Sequence, residues 1–214
     1  MKPPAPLQPR GPGGAAPSPP DWLGGSVLPL DIIPANVVLH RIHRISHGPI
    51  FFGPGIGNPP ASRFDSASGR FGVIYVALSL PGALAETILR NPQRRMVSLA
   101  DITERAASEL ICERPLRVVK LYGEGLQAVG TDNSVSTGPY GPCGLWTDAL
   151  FDHANKPDGI AYQSRHDSSQ LCFALFERED FTLEILATKA LGAMLNEVSS
   201  LLDLYGKSVA PDPR

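Results

Sequence analysis

Residues 62–90, SRFDSASGRFGVIYVALSLPGALAETILR, form the stretch that decides how the chain folds. Within it, residues 73–77 make a short apolar run that is rich in β-branched side chains and preceded by glycines, which predicts a buried strand. Ser79 is placed to cap a following helix, and Pro81 fits the first turn, where backbone N–H groups lack intrahelical partners. An Asn-Pro pair after Arg90 ends the helix.

Glu86 lies on this predicted helix with small neighbours around it. At about 100° per residue it points away from the apolar Leu84 and Ile88. It lies beside Gly82, so another backbone or a ligand can approach closely. The simpler interpretation is an exposed ion pair with Arg90, worth about 0.2–0.5 kcal/mol. The helix taken alone favours this ion pair.

The bulk properties exclude several classes of protein. The 214 residues suffice for one domain with a sizeable core. A formal net charge of -2 provides no general basic field for binding nucleic acid, and no apolar run is long enough to span a membrane. Three widely spaced cysteines form neither paired metal motifs nor a disulfide framework, so we expect buried thiols in a reducing cytoplasm.

Composition divides the chain into three parts. Residues 1–35 begin with a segment rich in Pro, Gly and Ala that cannot bury enough surface to offset chain entropy, so we predict an extended or disordered N-terminal tail. A tether is its expected role and a Pro-rich ligand for a partner is the alternative, although apolar side chains in residues 21–35 are able to dock back. Residues 36–206 are predicted to form a single domain, and residues 207–214 a C-terminal tail.

Residues 37–44, VVLHRIHR, alternate in a way that predicts a strand. Arg41 and Arg44 fall on opposite faces of it. A guanidinium makes charge-assisted, often bidentate bonds to phosphate, and we favour Arg41 for that role because Arg44 suits an exposed strand end. Three histidines within residues 40–47 would align on a helix but not on a strand, and no acidic or Cys ligand lies nearby, so we predict no metal site.

The remaining segments predict scaffold. Helices are expected at residues 98–107 and 140–153, and strands at residues 116–121 and 171–176. The apolar stripe of residues 188–205 predicts an amphipathic helix that packs on the core, with a homodimer interface as the alternative.

A glycine-rich loop, FFGPGIGNPP, lacks the flanking strand and helix of nucleotide-binding glycine motifs. We interpret it as an irregular loop beside a cleft. The chain also has no G-x-S-x-G, HExxH or Walker motif, so none of these catalytic signatures explains it.

An ordered set of short motifs resembles the RES domain family, which is named after an Arg, a Glu and a Ser. The motifs are LHRI at residues 39–42, FGPG at 52–55, SRFD at 62–65, VIYVA at 73–77, ALAE at 83–86 and DGIAYQSRH at 158–166. Each motif is weak alone, but their order and approximate spacing agree over about residues 37–180.

The resemblance implies both a fold and an activity. It implies that residues 36–206 are a RES-type catalytic domain of mixed α/β (α+β) class, with an ADP-ribosyltransferase-like split, twisted sheet and flanking helices. RES proteins are toxins that consume NAD⁺ by cleaving its nicotinamide–ribose bond, with water or phosphate as acceptor. Each is neutralised in the cytoplasm by an antitoxin with an Xre-like helix-turn-helix. NAD⁺ is therefore the expected substrate and such an antitoxin the expected partner.

By position, the resemblance implies five site residues. Arg41 and Arg63 would bind the diphosphate of NAD⁺. Tyr75 would stack against the cationic nicotinamide ring, although a core tyrosine with a satisfied hydroxyl is the alternative. Glu86 would stabilise an oxocarbenium-like ribose, as carboxylates do in glycoside hydrolysis. Ser164 would hydrogen-bond the ribose or the carboxamide.

The chain departs from the family pattern near Arg63. The family often has Gly-Gly-Arg-Trp-Asn where this chain has Ala-Ser-Arg-Phe-Asp, and His40 stands where Tyr is common. Asp65 is therefore expected to place a negative charge near the diphosphate. Three alternatives stay open: an ADP-ribosyltransferase acting on a protein, an inactive NAD-binding module, and a structural partner that docks through its tail.

Overall fold

The computed structural model describes residues 14–210, in which ten strands and six α-helices form; residues 1–13 and 211–214 lie outside the described part. The strands are β1 Leu30–Ile33, β2 Leu39–Arg44, β3 Val73–Ala77, β4 Met96–Ser98, β5 Arg105–Ile111, β6 Leu116–Lys120, β7 Gly159–Gln163, β8 Leu171–Phe176, β9 Glu184–Ala190 and β10 Ser208–Ala210. The helices are α1 Leu80–Ala85, α2 Leu99–Thr103, α3 Glu124–Val129, α4 Ser134–Thr137, α5 Cys143–Phe151 and α6 Leu195–Leu204, with 3-10 turns at Leu23–Gly25, Ile45–His47 and Leu191–Met194. No helix among residues 14–210 is long and apolar enough to cross a membrane.

Eight strands form one sheet in the order β1-β6-β7-β8-β3-β2-β5-β9, and β10 pairs with β4 in a separate ribbon. The large sheet is divided at its middle, because β2 and β3 pair through one residue pair, His40 and Ala77. By contrast, β2 pairs with β5 along six residues and β3 with β8 along five. The predicted α+β class, with a split sheet and flanking helices, is confirmed.

The central strand β3 is buried on both faces, which explains its continuous apolar run. Val73 and Ala77 pack in the larger core with helices α1, α5 and α6. Ile74 and Val76 face a second, smaller core on the other side of the sheet. Alternate side chains of this one strand therefore tie both layers of the protein together.

Helix α1 begins as predicted but ends earlier. The Ser79 hydroxyl accepts a hydrogen bond from the Gly82 N–H at 3.0 Å, which is the expected cap. The helix was predicted to continue to Arg90, but it ends at Ala85, and Glu86 is the C-cap residue. The Thr87 hydroxyl donates to the Ala83 carbonyl, a local bond that competes with continued helix. Glu86 therefore lies at a helix end, where the chain turns.

The predicted tail boundary at residue 35 differs from the structure, which includes residues 14–35 in the fold. Strand β1 pairs with β6 at the edge of the sheet. Leu23 and Leu28 are buried, and the Trp146 indole N–H donates to the Pro17 carbonyl at 2.8 Å. Apolar side chains between the prolines therefore dock on α5, which outweighs the tail-like composition. The rest of the predicted tail, residues 1–13, lies outside the described residues.

The C-terminal boundary at residue 206 also differs, because β10 pairs in parallel with β4.

The helices predicted at residues 98–107 and 188–205 are partly wrong, also because of strand pairing. Helix α2 stops at Thr103 and β5 follows it, whereas residues 188–190 belong to β9. Strands β5 and β9 pair with each other, so long-range pairing overrides the local helical pattern in both segments. The apolar face of α6 packs inward through Val198 and Leu202, as expected.

Candidate functional site

A cavity of about 210 Å³ opens where β2 and β3 separate. Its charged lining consists of one carboxylate and four guanidinium groups, those of Glu86, Arg41, Arg63, Arg90 and Arg165. Tyrosine and histidine side chains complete much of the wall, namely Tyr75, Tyr140, Tyr162, His40 and His166. The cavity therefore favours an anionic ligand with an aromatic part.

Four of the five residues predicted for the site line this cavity. Arg41 and Tyr75 come from the two separating strands, Arg63 comes from the loop before β3, and Glu86 comes from the end of α1. Ser164 does not line the cavity but contacts Glu86 directly. The fold thus brings together all five residues, which are remote in sequence, while their roles remain predictions.

The Glu86 carboxylate is held by two hydroxyl groups from β7 and its end. The Ser164 hydroxyl donates to Oε1 at 2.6 Å, and the Tyr162 hydroxyl donates to Oε2 at 3.2 Å. Arg90, the expected ion-pair partner, instead donates from Nε to the main-chain carbonyl of Glu86. The exposed ion pair favoured by the helix alone therefore does not describe this carboxylate, whose orientation is set by a neighbouring strand.

Ser164 occupies a buried position behind this contact. Its N–H donates to the Gln170 carbonyl at 3.0 Å, which closes the β7–β8 turn. Its hydroxyl oxygen also accepts from the His166 N–H at 3.1 Å. The hydroxyl proton is thus used on Glu86, so Ser164 orients this carboxylate, while its contact with the nucleotide stays a prediction.

Tyr75 presents its ring to the cavity while its hydroxyl is used within the fold. The hydroxyl donates to Asp65 Oδ1 at 2.8 Å and accepts from the Phe64 N–H at 2.9 Å. Burial, together with the neighbouring Asp65 charge, raises the pKa of Tyr75 well above its ordinary value. Tyr75 therefore stays protonated, and its ring is the part available to a ligand.

Asp65 does not place its charge in the cavity, contrary to the expectation from the sequence. It is buried and does not line the cavity. Its Oδ2 accepts from the N–H groups of Ala61 and Ser62, at 2.8 and 2.6 Å. Together with the Tyr75 bond, these contacts tie the loop that carries Arg63 to strand β3.

The Arg63 guanidinium is buried against the segment around α4. Nη1 donates to the carbonyls of Gly138 at 2.7 Å and Val135 at 3.4 Å. The ring of Tyr140 lies under the guanidinium, with 4.5 Å between Cζ and the ring centroid, a cation–π contact. These contacts fix the plane of the guanidinium at the cavity wall.

Arg41 anchors the glycine-rich loop to β2. Nη1 donates to the Pro49 carbonyl at 2.7 Å and Nη2 to the Phe51 carbonyl at 3.2 Å. Burial lowers the pKa of Arg41 to about 10, so the group remains cationic at neutral pH. A guanidinium carries five N–H donors, so it keeps the capacity to bind an anion in addition to these carbonyls.

Sequence reasoning missed several residues of the cavity wall. Arg165 and His166 directly follow Ser164 in the DGIAYQSRH motif without a predicted site role, and both line the cavity. Tyr162 was quoted in a motif without a role, although it lies in β7 two residues before Ser164, a spacing that turns both side chains to the same side of extended chain. No comparable signal pointed to Ser136 and Tyr140, because they reach the cavity through the packing of α4 and the loop after it.

The protein is thus an α+β protein with a divided sheet. Its cavity is lined by arginines and by one oriented carboxylate. The chain belongs to the RES domain family, whose profile matches residues 38–191. Its fold is similar to that of a chain in the crystal structure of the M. tuberculosis MbcT–MbcA toxin–antitoxin complex. That alignment has a TM-score of 0.54 and 17% sequence identity, and covers 79% of this chain and 92% of the other. Comparison with curated proteins gave no significant match.

Proposed function

We propose that this protein consumes NAD⁺ by cleaving the bond between nicotinamide and ribose. The observation that carries the proposal is the Glu86 carboxylate, which two hydroxyl donors orient in a cavity whose other formal charges are four guanidinium groups. A dinucleotide matches this pattern, since it joins an anionic diphosphate to a cationic nicotinamide ribose.

For cleavage of the nicotinamide–ribose bond, the protein mainly has to position the substrate and stabilise the charge that develops. Nicotinamide is a good leaving group, so bond cleavage develops an oxocarbenium-like positive charge on the ribose. Glu86 is placed to stabilise that charge and to orient the 2′-hydroxyl. Tyr75 offers a ring face to the nicotinamide, a contact worth about 0.5–2 kcal/mol with a cation. Arg41 and Arg63 offer donors to the diphosphate.

The size of the cavity restricts how the substrate binds. Its 210 Å³ is less than the roughly 300–1,000 Å³ of sites that enclose a drug-sized ligand. We therefore place the nicotinamide ribose inside, with the diphosphate at the arginines and the adenosine towards the mouth. Either water or inorganic phosphate would then attack the ribose, giving a glycohydrolase or a phosphorylase.

We further propose that the protein is a toxin of a toxin–antitoxin pair. Membership of the RES family supports this, as does the likeness of fold to a chain of a complex described as toxin–antitoxin. The expected partner is an antitoxin with an Xre-like helix-turn-helix, and the expected site of action is the cytoplasm. Expression of the chain should arrest growth of a bacterial host, and co-expression of the antitoxin should relieve the arrest.

The decisive experiment incubates purified protein with NAD⁺, with and without phosphate, and follows free nicotinamide. Release with no labelled protein supports the proposal, whereas transfer of ADP-ribose to protein supports the transferase alternative. Glu86→Gln should abolish release while the variant stays folded. Glu124→Gln is the matched control, because Glu124 is exposed and pairs with Lys120 on the surface. No release from the folded wild-type protein would indicate a binding module.

A further inference from the structure

Two buried hydrogen-bond donors on the cavity wall lack a partner among residues 14–210. They are Nη2 of Arg63 and the hydroxyl of Ser136. Both residues line the cavity, and their exposed fractions are 8% for Arg63 and 3% for Ser136. Buried polar groups in native proteins are nearly always hydrogen-bonded, so two such donors in one cavity wall call for an explanation.

Arg63 is hydrogen-bonded to the segment that carries Ser136. Nη1 of Arg63 donates to the carbonyls of Val135 and Gly138, which flank Ser136 on either side along the chain. The Tyr140 ring covers one face of the guanidinium. Nη1 and one face of the guanidinium are thus used within the protein, whereas Nη2 has no partner there and is left for a ligand.

The chemistry of the pair selects an anionic oxygen. A guanidinium and a hydroxyl both donate hydrogen bonds, so the two groups together suit an acceptor such as a phosphoryl oxygen. The cavity lining adds three more arginines against a single glutamate, so a charged acceptor is favoured over a neutral one.

We propose that Arg63 Nη2 and the Ser136 hydroxyl form a subsite that binds a phosphoryl oxygen, and that Ser136 is a substrate-binding residue of this protein. This assignment rests on the proposed function for the source of the phosphoryl group. That source is the diphosphate of NAD⁺ or the inorganic phosphate that would accept the ribose. The bound oxygen completes the hydrogen bonding of both donors.

The experiment measures binding to the full chain by calorimetry, using ADP-ribose, nicotinamide riboside and inorganic phosphate as probes. Ser136→Ala should weaken a phosphoryl-bearing probe about tenfold, the loss of one hydrogen bond to a charged group. It should leave nicotinamide riboside unchanged, because that probe has no phosphoryl group. The melting temperature should not fall, since the hydroxyl makes no bond within the described protein.

Thr131→Val is the matched control. The Thr131 hydroxyl is also buried and lacks a partner among the described residues, but Thr131 does not line the cavity. The control should bind all three probes as the wild type does. If Ser136→Ala behaves in the same way as Thr131→Val with every probe, the subsite is overturned.

The arms of the experiment separate the two sources. If phosphate and ADP-ribose compete for the protein, and Ser136→Ala weakens the binding of both, the subsite belongs to the diphosphate. Simultaneous binding, with phosphate alone weakened, assigns it to the phosphate acceptor. Wild-type protein that binds neither probe overturns the subsite. Ser136-dependent binding of ADP-ribose without any nicotinamide release overturns the proposed reaction and leaves the subsite standing.

Discussion

The Ser164 hydroxyl donates a hydrogen bond of 2.6 Å to the carboxylate of Glu86, across 78 positions of sequence. Two of the five residues that the family resemblance predicts for the site are therefore in contact, and the serine orients the carboxylate. If Glu86 acts as proposed, Ser164 should act through this carboxylate, and its loss should affect the chemical step more than substrate binding.

Ser164→Ala should lower kcat for nicotinamide release about 10- to 100-fold with little change in KM, because a loosely oriented carboxylate is misplaced relative to the ribose. Steady-state kinetics on the purified variant measure both constants. Ser200→Ala, on the exposed side of α6, is the control and should keep full activity. An unchanged kcat, or an effect seen only as a higher KM, would contradict the positioning role.

Tyr162→Phe should have a smaller effect than Ser164→Ala, since its hydrogen bond to Glu86 is longer at 3.2 Å. The ring is retained and still packs against Phe64, with centroids 4.9 Å apart. Nicotinamide release should fall by less than about tenfold, a loss of up to about 1.4 kcal/mol. Tyr122→Phe is the matched control, because its hydroxyl donates to Asp31, away from the cavity. A ranking with Tyr162→Phe as the more damaging change would be inconsistent with the geometry.

His166 should make the protein less stable in mild acid. Burial lowers its pKa below 6.5 against the opposing pull of Glu86, and nearby guanidinium groups, led by Arg165, lower it further. Between the folded and unfolded pKa values of His166, the unfolded chain binds more protons than the folded protein. The contribution of His166 to the free energy of unfolding is therefore complete above pH 6.5 and is lost as the pH falls through the folded pKa.

The measurement is the free energy of unfolding between pH 5 and 8. His166→Gln should show a shallower loss of stability below pH 6.5 than the wild type. His43, whose pKa is also lowered by burial, is present in both proteins, so the difference reports His166. His47→Gln, at an exposed position, should follow the wild-type curve, and identical curves for all three proteins would disprove the assignment.

The docked N-terminal segment predicts a large difference between two neighbouring apolar residues. Leu23 is 2% exposed and Val27 is 90% exposed. Leu23→Ala should lower the free energy of unfolding by about 2–5 kcal/mol, because it removes buried methyl groups and leaves a cavity. Val27→Ala should change it by less than about 0.5 kcal/mol. Denaturant unfolding measures both, and equal effects would mean that the segment does not dock in solution.

Local rules predicted the elements whose determinants lie close together in sequence. The β-branched run of β3 and the Ser79 cap of α1 depend on neighbouring residues, and both are observed. The boundaries at residues 35 and 206 failed because β1 and β10 are strands only through their pairing with β6 and β4. Such pairing overrides composition, and the residues of a short segment do not show which strand it will pair with.

The candidate site divides in the same way. The ordered motifs identified Arg41, Arg63, Tyr75 and Glu86, all of which line the cavity. They did not show that Asp65 is turned inward, or that Ser136 lies on the wall. Those positions depend on how the loop before β3 and the segment at α4 pack against each other, and this packing joins residues more than 70 positions apart.

The amino-acid sequence by itself determined the strand–helix unit at the centre of the protein, the α+β class and the kinds of side chain available for chemistry. The strand–helix unit follows from periodicity and capping, whereas the α+β class follows from the resemblance of the ordered motifs to the RES domain family. The tertiary structure alone decided that the sheet opens between β2 and β3, and that Ser164 holds Glu86 at that opening. Contacts between distant segments depend on packing of the whole chain, which no local pattern of residues encodes.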